Sequence, residues 1–121
     1  MKRIALLLIL SAAGLWADAT GKWSGAAKAP ERGDETQSLF FIFKQDGATL
    51  TGSGGPTEEE QHPMEMGTVE GDRLKFQVPV GGKGTIYFDL KASGDQINGE
   101  AQFKKNEGES ATFQVALKKV Q

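Results

Sequence analysis

The sequence predicts an all-β fold, an eight-stranded antiparallel barrel wound up and down, and three observations lead there. First, apolar and polar residues alternate with a period of two. Leu74, Phe76, Val78 and Val80 are interleaved with Arg73, Lys75, Gln77 and Pro79, and Ile86, Phe88 and Leu90 with Tyr87, Asp89 and Lys91. Phe113, Val115 and Leu117 are likewise interleaved with Gln114, Ala116 and Lys118. That period marks a strand with one buried face. Second, no stretch beyond residue 19 keeps a helical period. Third, glycine-bearing turn signals recur at Gly47, Gly71 and Gly94, each just ahead of an apolar strand, so successive strands form a meander. Eight strands with a common apolar face hide it by closing the sheet, which also removes both exposed edges. A flattened β-sandwich is the alternative.

Taken in order, the chain opens with a basic Met1-Lys2-Arg3, an apolar run over residues 4–10 and a small-x-small site at Ala17-Asp18-Ala19. This is the layout of a secretory signal peptide, too short and wrongly flanked for a membrane span. Residues 1–19 are therefore expected to be removed, with cleavage after Ala17 or Ala19, and the protein to be secreted or periplasmic. Residues 20–121 then form a single barrel domain of about 100 residues, large enough to bury a core without staples. Strands are expected over 20–25, 37–44, 48–53, 64–70, 73–80, 84–91, 96–103 and 111–120.

Turn chemistry predicts the registers. A two-residue turn at Asp46-Gly47 sets Phe43 opposite Leu50 and Phe41 opposite Gly52. A turn at Gly71-Asp72 pairs Val69 with Leu74 and Glu70 with Arg73. Continued unbroken, that register would turn Glu65 toward the apolar side. A bulge near Gly67 is expected to bring Met66 there instead. A three-residue loop over 81–83 pairs Val78 with Ile86 and Phe76 with Phe88. A four-residue loop over 92–95 pairs Leu90 with Ile97. A five-residue loop over 106–110 pairs Phe103 with Phe113. Opposed residues share a face, so every apolar column stays on one side, and the last strand returns to the first near Trp23.

Composition excludes several functions. The chain has no cysteine, which removes disulfides, thiolate nucleophiles, zinc–thiolate sites and a lipidated cysteine. Its single histidine, His62, cannot build a multi-histidine metal site within one chain. The formal net charge is −2 and becomes more negative once Lys2 and Arg3 leave with the signal. Without a basic stripe, nucleic acid is not an expected partner.

Gly21-Lys22-Trp23 at the head of the mature chain, followed by Asp46-Gly47-Ala48-Thr49-Leu50-Thr51-Gly52, resembles the opening of lipocalin-like and avidin-like (calycin-type) barrels. The Gly-Asp-x-Leu/Ile turns further on resemble those of an uncharacterised group of small secreted bacterial proteins. The resemblance implies an up-and-down barrel whose first-strand tryptophan plugs the closed end. It does not extend to biotin binding, since avidin-like sites use several tryptophans and a polar set on the first strands. Trp23 is the only tryptophan after the signal, and Ser24-Gly25-Ala26-Ala27 does not supply that set.

With strand one running upward, the long, charged loops fall at the upper end and the tight turns at the lower. Long loops on a rigid scaffold are where binding usually sits. The candidate ligand-binding residues are Glu58, Glu59, Glu60, His62 and Lys83. The three consecutive glutamates cannot all converge on one cation, and the spacing of a calcium loop is absent, so no metal is expected. No nucleophile elbow accompanies His62, although Ser53, Ser24 and Ser110 are the serines it would need beside it. Gly81-Gly82-Lys83-Gly84 lacks the spacing of a phosphate loop and reads as a hairpin turn. No catalytic residue and no cofactor are assigned.

The expectation is a secreted, non-enzymatic binding or interaction module. It would hold a small apolar ligand in the barrel mouth, or an extracellular protein or glycan at an acidic upper rim. The alternatives are a small hydrolase using rim carboxylates and a purely structural extracytoplasmic protein. The interior columns, with small residues at Gly52, Gly99 and Ala101, leave open whether the barrel is filled or hollow.

Overall fold

A computed structural model describes residues 18–29, 35–106, 108 and 110–120. Residues 1–17 of the expected signal lie outside it, as do Glu31, Asp34, Glu107 and Glu109, four of the acids expected on the upper rim. The strands are β1 (Gly21–Ala29), β2 (Glu35–Asp46), β3 (Thr49–Gly55), β4 (His62–Pro63), β5 (Glu65–Glu70), β6 (Arg73–Pro79), β7 (Gly84–Ser93), β8 (Gln96–Lys105) and β9 (Ser110–Lys119). All pairings are antiparallel. Both β4 and β5 pair with β3, so together they form one interrupted stave, and the wall has eight staves. Successive staves pair throughout, and β9 closes on β1 with Trp23 opposite Lys119. The fold is thus an eight-stranded antiparallel meander closed into a barrel, rather than a flattened sandwich.

The apolar columns face inward as the alternation requires. Trp23, Phe41, Phe43, Leu50, Leu74, Phe76, Phe88, Leu90, Ile97, Val115 and Leu117 are all buried. Phe41, Phe43, Phe76 and Phe88 form an aromatic knot at mid-height, with ring centroids 4.8–5.5 Å apart in stacked and edge-on pairs. Those geometries suit the ring quadrupoles and fill the centre of the barrel.

Two registers match expectation: Val69 opposes Leu74 across Gly71-Asp72, and Phe76 opposes Phe88 across residues 81–83. Three others are displaced by two residues. Phe43 faces Gly52 rather than Leu50, Leu90 faces Gly99 rather than Ile97, and Phe103 faces Ala111 rather than Phe113. At the lower end the reason is the turn. Each two-residue turn puts glycine first, at φ of 64–66°, so the turns are Gly47-Ala48, Gly71-Asp72 and Gly94-Asp95. Glycine-first is the type II′ arrangement, whose twist matches the flanking strands. A shift of two leaves every side chain on its original face, so the columns stay intact.

The bulge also differs in detail. It lies between Glu65 and Thr68, as expected, but Met66 does not turn inward. Met66 takes φ 53° and is 74% exposed, while Met64 packs against the core in its place. Gly67 approaches the Leu50 carbonyl so closely that a Cβ there would lie 2.1 Å from it. The extra residue is accommodated by turning the neighbouring methionine out.

Packing begins ahead of β1. Ala19 is 4% exposed and belongs to the core cluster, and its carbonyl accepts the Trp23 indole N–H at 2.9 Å. Residues 18–20 therefore cap the lower end of the barrel, which the tight turns and Trp23 otherwise close.

Candidate functional site

Among the described residues, none closes the upper end. Above the aromatic knot the inward columns continue as Ile86, Phe103 and Phe113, which are only half-buried. They surround a hollow of about 420 Å³ whose other walls include Ala27, Leu39, Val80, Ala101 and Ala111. Phe88 forms its floor. A smaller hollow of about 160 Å³ adjoins it, sharing Leu39, Val80, Ile86 and Phe88 and adding His62, Pro56 and Val78.

The hollow exists because the facing residues are small. Ala101 opposes Phe88 on one side and Phe113 on the other, and Ala111 opposes Phe103. Each pair leaves the space a second large side chain would occupy. The polar groups of the larger hollow are Gln37, Lys83 and Lys105, all at its edge. Lys83 belongs to the short 3₁₀ turn Gly81–Lys83, and Lys105 pairs across with Gly84. Asn106 ties these neighbouring loops together, donating from its backbone N to the Lys83 carbonyl at 3.1 Å and from Nδ2 to the Gly82 carbonyl at 2.7 Å. The two lysines are thereby carried on one braced sector of the rim. Among the described residues lining both hollows, none is a carboxylate.

The five residues singled out by sequence do not form one cluster. Lys83 lines the larger hollow and His62 the smaller. Glu58, Glu59 and Glu60 line neither, because the segment between β3 and β4 folds back over the outer wall instead of standing on the rim. Gln61 fastens it there, with Nε2 donating to the Phe40 carbonyl at 3.0 Å and Oε1 accepting from the Ser53 hydroxyl at 2.6 Å. Glu58 accepts from Lys22 Nζ at 2.6 Å on the outer face of β1, while Glu59 and Glu60 are exposed. Ser53 is thus engaged by Gln61 rather than by His62. Leu39 was absent from the expected inward columns, whereas Val80 stood at the end of one. The Leu39-Phe41-Phe43 alternation contains the first, and the Phe76-Val78-Val80 column the second.

The outer wall has a groove of its own, about 520 Å³, passing Met66, Gln77, Tyr87 and Gln102. Lys104 Nζ lies 5.2 Å from the Tyr87 ring centroid, and Gln77 Nε2 donates to Met66 Sδ at 3.4 Å. Charged Lys75, Asp89 and Glu100 share its lining, as befits a solvated sheet face. The mouth combines a concave apolar lining with a few polar groups at its edge, the usual build of a small-molecule site. Comparison of the chain with known protein families, curated proteins and solved structures returned no match.

Proposed function

We propose that this protein is a secreted or periplasmic, lipocalin-like binding module without catalytic activity, which takes a small apolar ligand into the upper mouth of the barrel. The observation that carries the proposal is the hollow above Phe88. It is walled by half-buried Leu39, Val80, Ile86, Phe103 and Phe113, at a place where a barrel built only for stability would be filled. Partly exposed apolar side chains around a concavity gain free energy from a guest at about 25 cal/mol per Å² of apolar surface removed from water. Lys83 and Lys105 at the edge suit a ligand with a polar or anionic end left at the solvent boundary, while their methylene stems extend the apolar wall.

Isothermal titration with straight-chain alkanoates and the matching alkanols tests the reading. Affinity should rise by about 0.8 kcal/mol for each added methylene until the hollow is full, then level off. Absence of binding by any member of either series would overturn it.

A further inference from the structure

We infer that the export peptidase cuts between Ala17 and Asp18, so that Asp18-Ala19-Thr20 remains on the mature protein as the lower cap of the barrel. In that cut, water adds across the Ala17–Asp18 amide. Ala17 leaves as a carboxylate, and Asp18 keeps the new amino group. The inference rests on reading the first residues as an export signal, in which the small-x-small pattern Ala17-Asp18-Ala19 taken alone sets the cut after Ala19, whereas a cut after Ala17 has Leu15 three residues before the bond, so the structure has to decide between the two. The two products differ in what they leave at the base of the barrel.

Ala19 is built into the fold through both of its peptide groups. Its N–H donates to Gln45 Oε1 at 2.8 Å, and its carbonyl accepts the Trp23 indole N–H at 2.9 Å. Its methyl lies in the core cluster. Trp23 is 2% exposed, and this carbonyl is the partner of its one polar atom. Thr20 is held as well. Its Oγ1 accepts from the Gln45 backbone N at 3.0 Å, and its carbonyl accepts from Lys119 Nζ at 3.1 Å. That ammonium also lies 5.6 Å from the Trp23 ring centroid. Asp18 completes the cap, its Oδ1 accepting from the Thr20 N–H at 2.9 Å.

Cleavage after Ala19 would undo this in three ways. The buried indole N–H would lose its acceptor, and an unpaired buried donor is costly. The Ala19 site in the core would be vacated beside Trp23. The new ammonium on Thr20 would sit next to the Lys119 ammonium that binds the same residue. Cleavage after Ala17 keeps every one of these contacts. The peptidase meets an unfolded precursor, so the fold does not steer the cut. It distinguishes the product that is complete from the one that is not.

The test is to export the full precursor from a bacterial host and determine the N-terminus of the released protein by intact mass and terminal sequencing. Asp18 is the expected first residue. Thr20 as the first residue would overturn the inference while leaving the export reading intact; retention of Met1 would overturn both. Chains beginning at Asp18 and at Thr20, released from a fusion, supply the second measurement. The Thr20 chain should have a lower denaturation midpoint and a several-fold larger acrylamide quenching of Trp23, the sole tryptophan in both. Equal midpoints together with equal quenching would overturn the capping role.

Discussion

Phe88 stacks on Phe76 at 4.8 Å and meets Phe41 edge-on, whereas its neighbour Tyr87 points outward and is 39% exposed. Phe88→Ala should therefore cost about 3–5 kcal/mol in chemical denaturation, and Tyr87→Ala far less. A reversed order would mean that the strand faces are exchanged. Glycines separate by cause in the same way. At Gly94, φ is +66° and a Cβ would meet nothing, so Gly94→Ala carries only the left-handed backbone penalty, about 1–2 kcal/mol. At Gly99 a Cβ would lie 2.3 Å from the Asp89 carbonyl oxygen, so Gly99→Ala must push two strands apart and should cost more. Equal losses in a thermal series would remove the distinction. Asp18 adds a pH dependence. Hydrogen bonds from the Thr20 side chain and backbone hold its carboxyl below the ordinary aspartate value, with Lys119 assisting. A carboxylate depressed in the fold adds stability above its unfolded pKa and loses it as pH falls through the folded one. An Asp18→Asn variant should thus be weaker than the parent at neutral pH and converge with it in acid.

Among the elements, legibility followed locality. Alternation in β6, β7 and β9 assigned inward faces because a period of two is written into consecutive residues. The Gly71-Asp72 hairpin was readable to the residue because glycine was placed first in its turn, and the 81–83 hairpin because a three-residue loop closes between Val80 and Gly84. The Asp46-Gly47 reading slipped because the glycine takes the first turn position there, which pairs Asp46 with Thr49. The bulge before Thr68 could be located, but which methionine it turns inward depends on how closely Gly67 approaches β3, a tertiary fact. The segment between β3 and β4 was the largest departure. Nothing in Glu58-Glu59-Glu60 announces that Gln61 will clamp the loop onto the outer wall. Its charges are nevertheless surface charges, and exposed ion pairs such as Lys22–Glu58 contribute little. Replacing all three glutamates by Gln should change stability by about 0.5 kcal/mol or less, read as an unchanged denaturation midpoint. A large loss would show that the clamp depends on the acids and not on Gln61.

The whole molecule divides its labour between its ends. The lower end has two-residue turns, the Trp23 plug and the Asp18–Thr20 cap, all of which serve closure. The upper end has half-buried aromatics around an unfilled hollow, which closure does not need. Ile86, Phe88, Ala101, Phe103 and Phe113 could be read from the inward columns, but Ala27, Leu39, Ala111 and the hollow itself could not. It depends on Ala101 and Ala111 facing Phe113 and Phe103, and those pairings follow from registers that are displaced by two from the sequence expectation. The division makes the ends separately mutable. Ala111→Trp, at a half-buried position on the wall of the larger hollow, should occupy the guest's space while leaving the knot of Phe41, Phe43, Phe76 and Phe88 untouched. Alkanoate binding should then disappear from calorimetric titration, with the denaturation midpoint moving by about 1 kcal/mol or less. Trp23→Phe at the other end removes the indole N–H that Ala19 accepts and should cost at least the 1–3 kcal/mol of a broken buried pairing, with affinity for alkanoates unchanged. If Ala111→Trp binds as the parent does, the guest is not in the mouth. If Trp23→Phe loses affinity while still folded, the two ends are coupled, and the barrel is not the rigid frame that separate roles require.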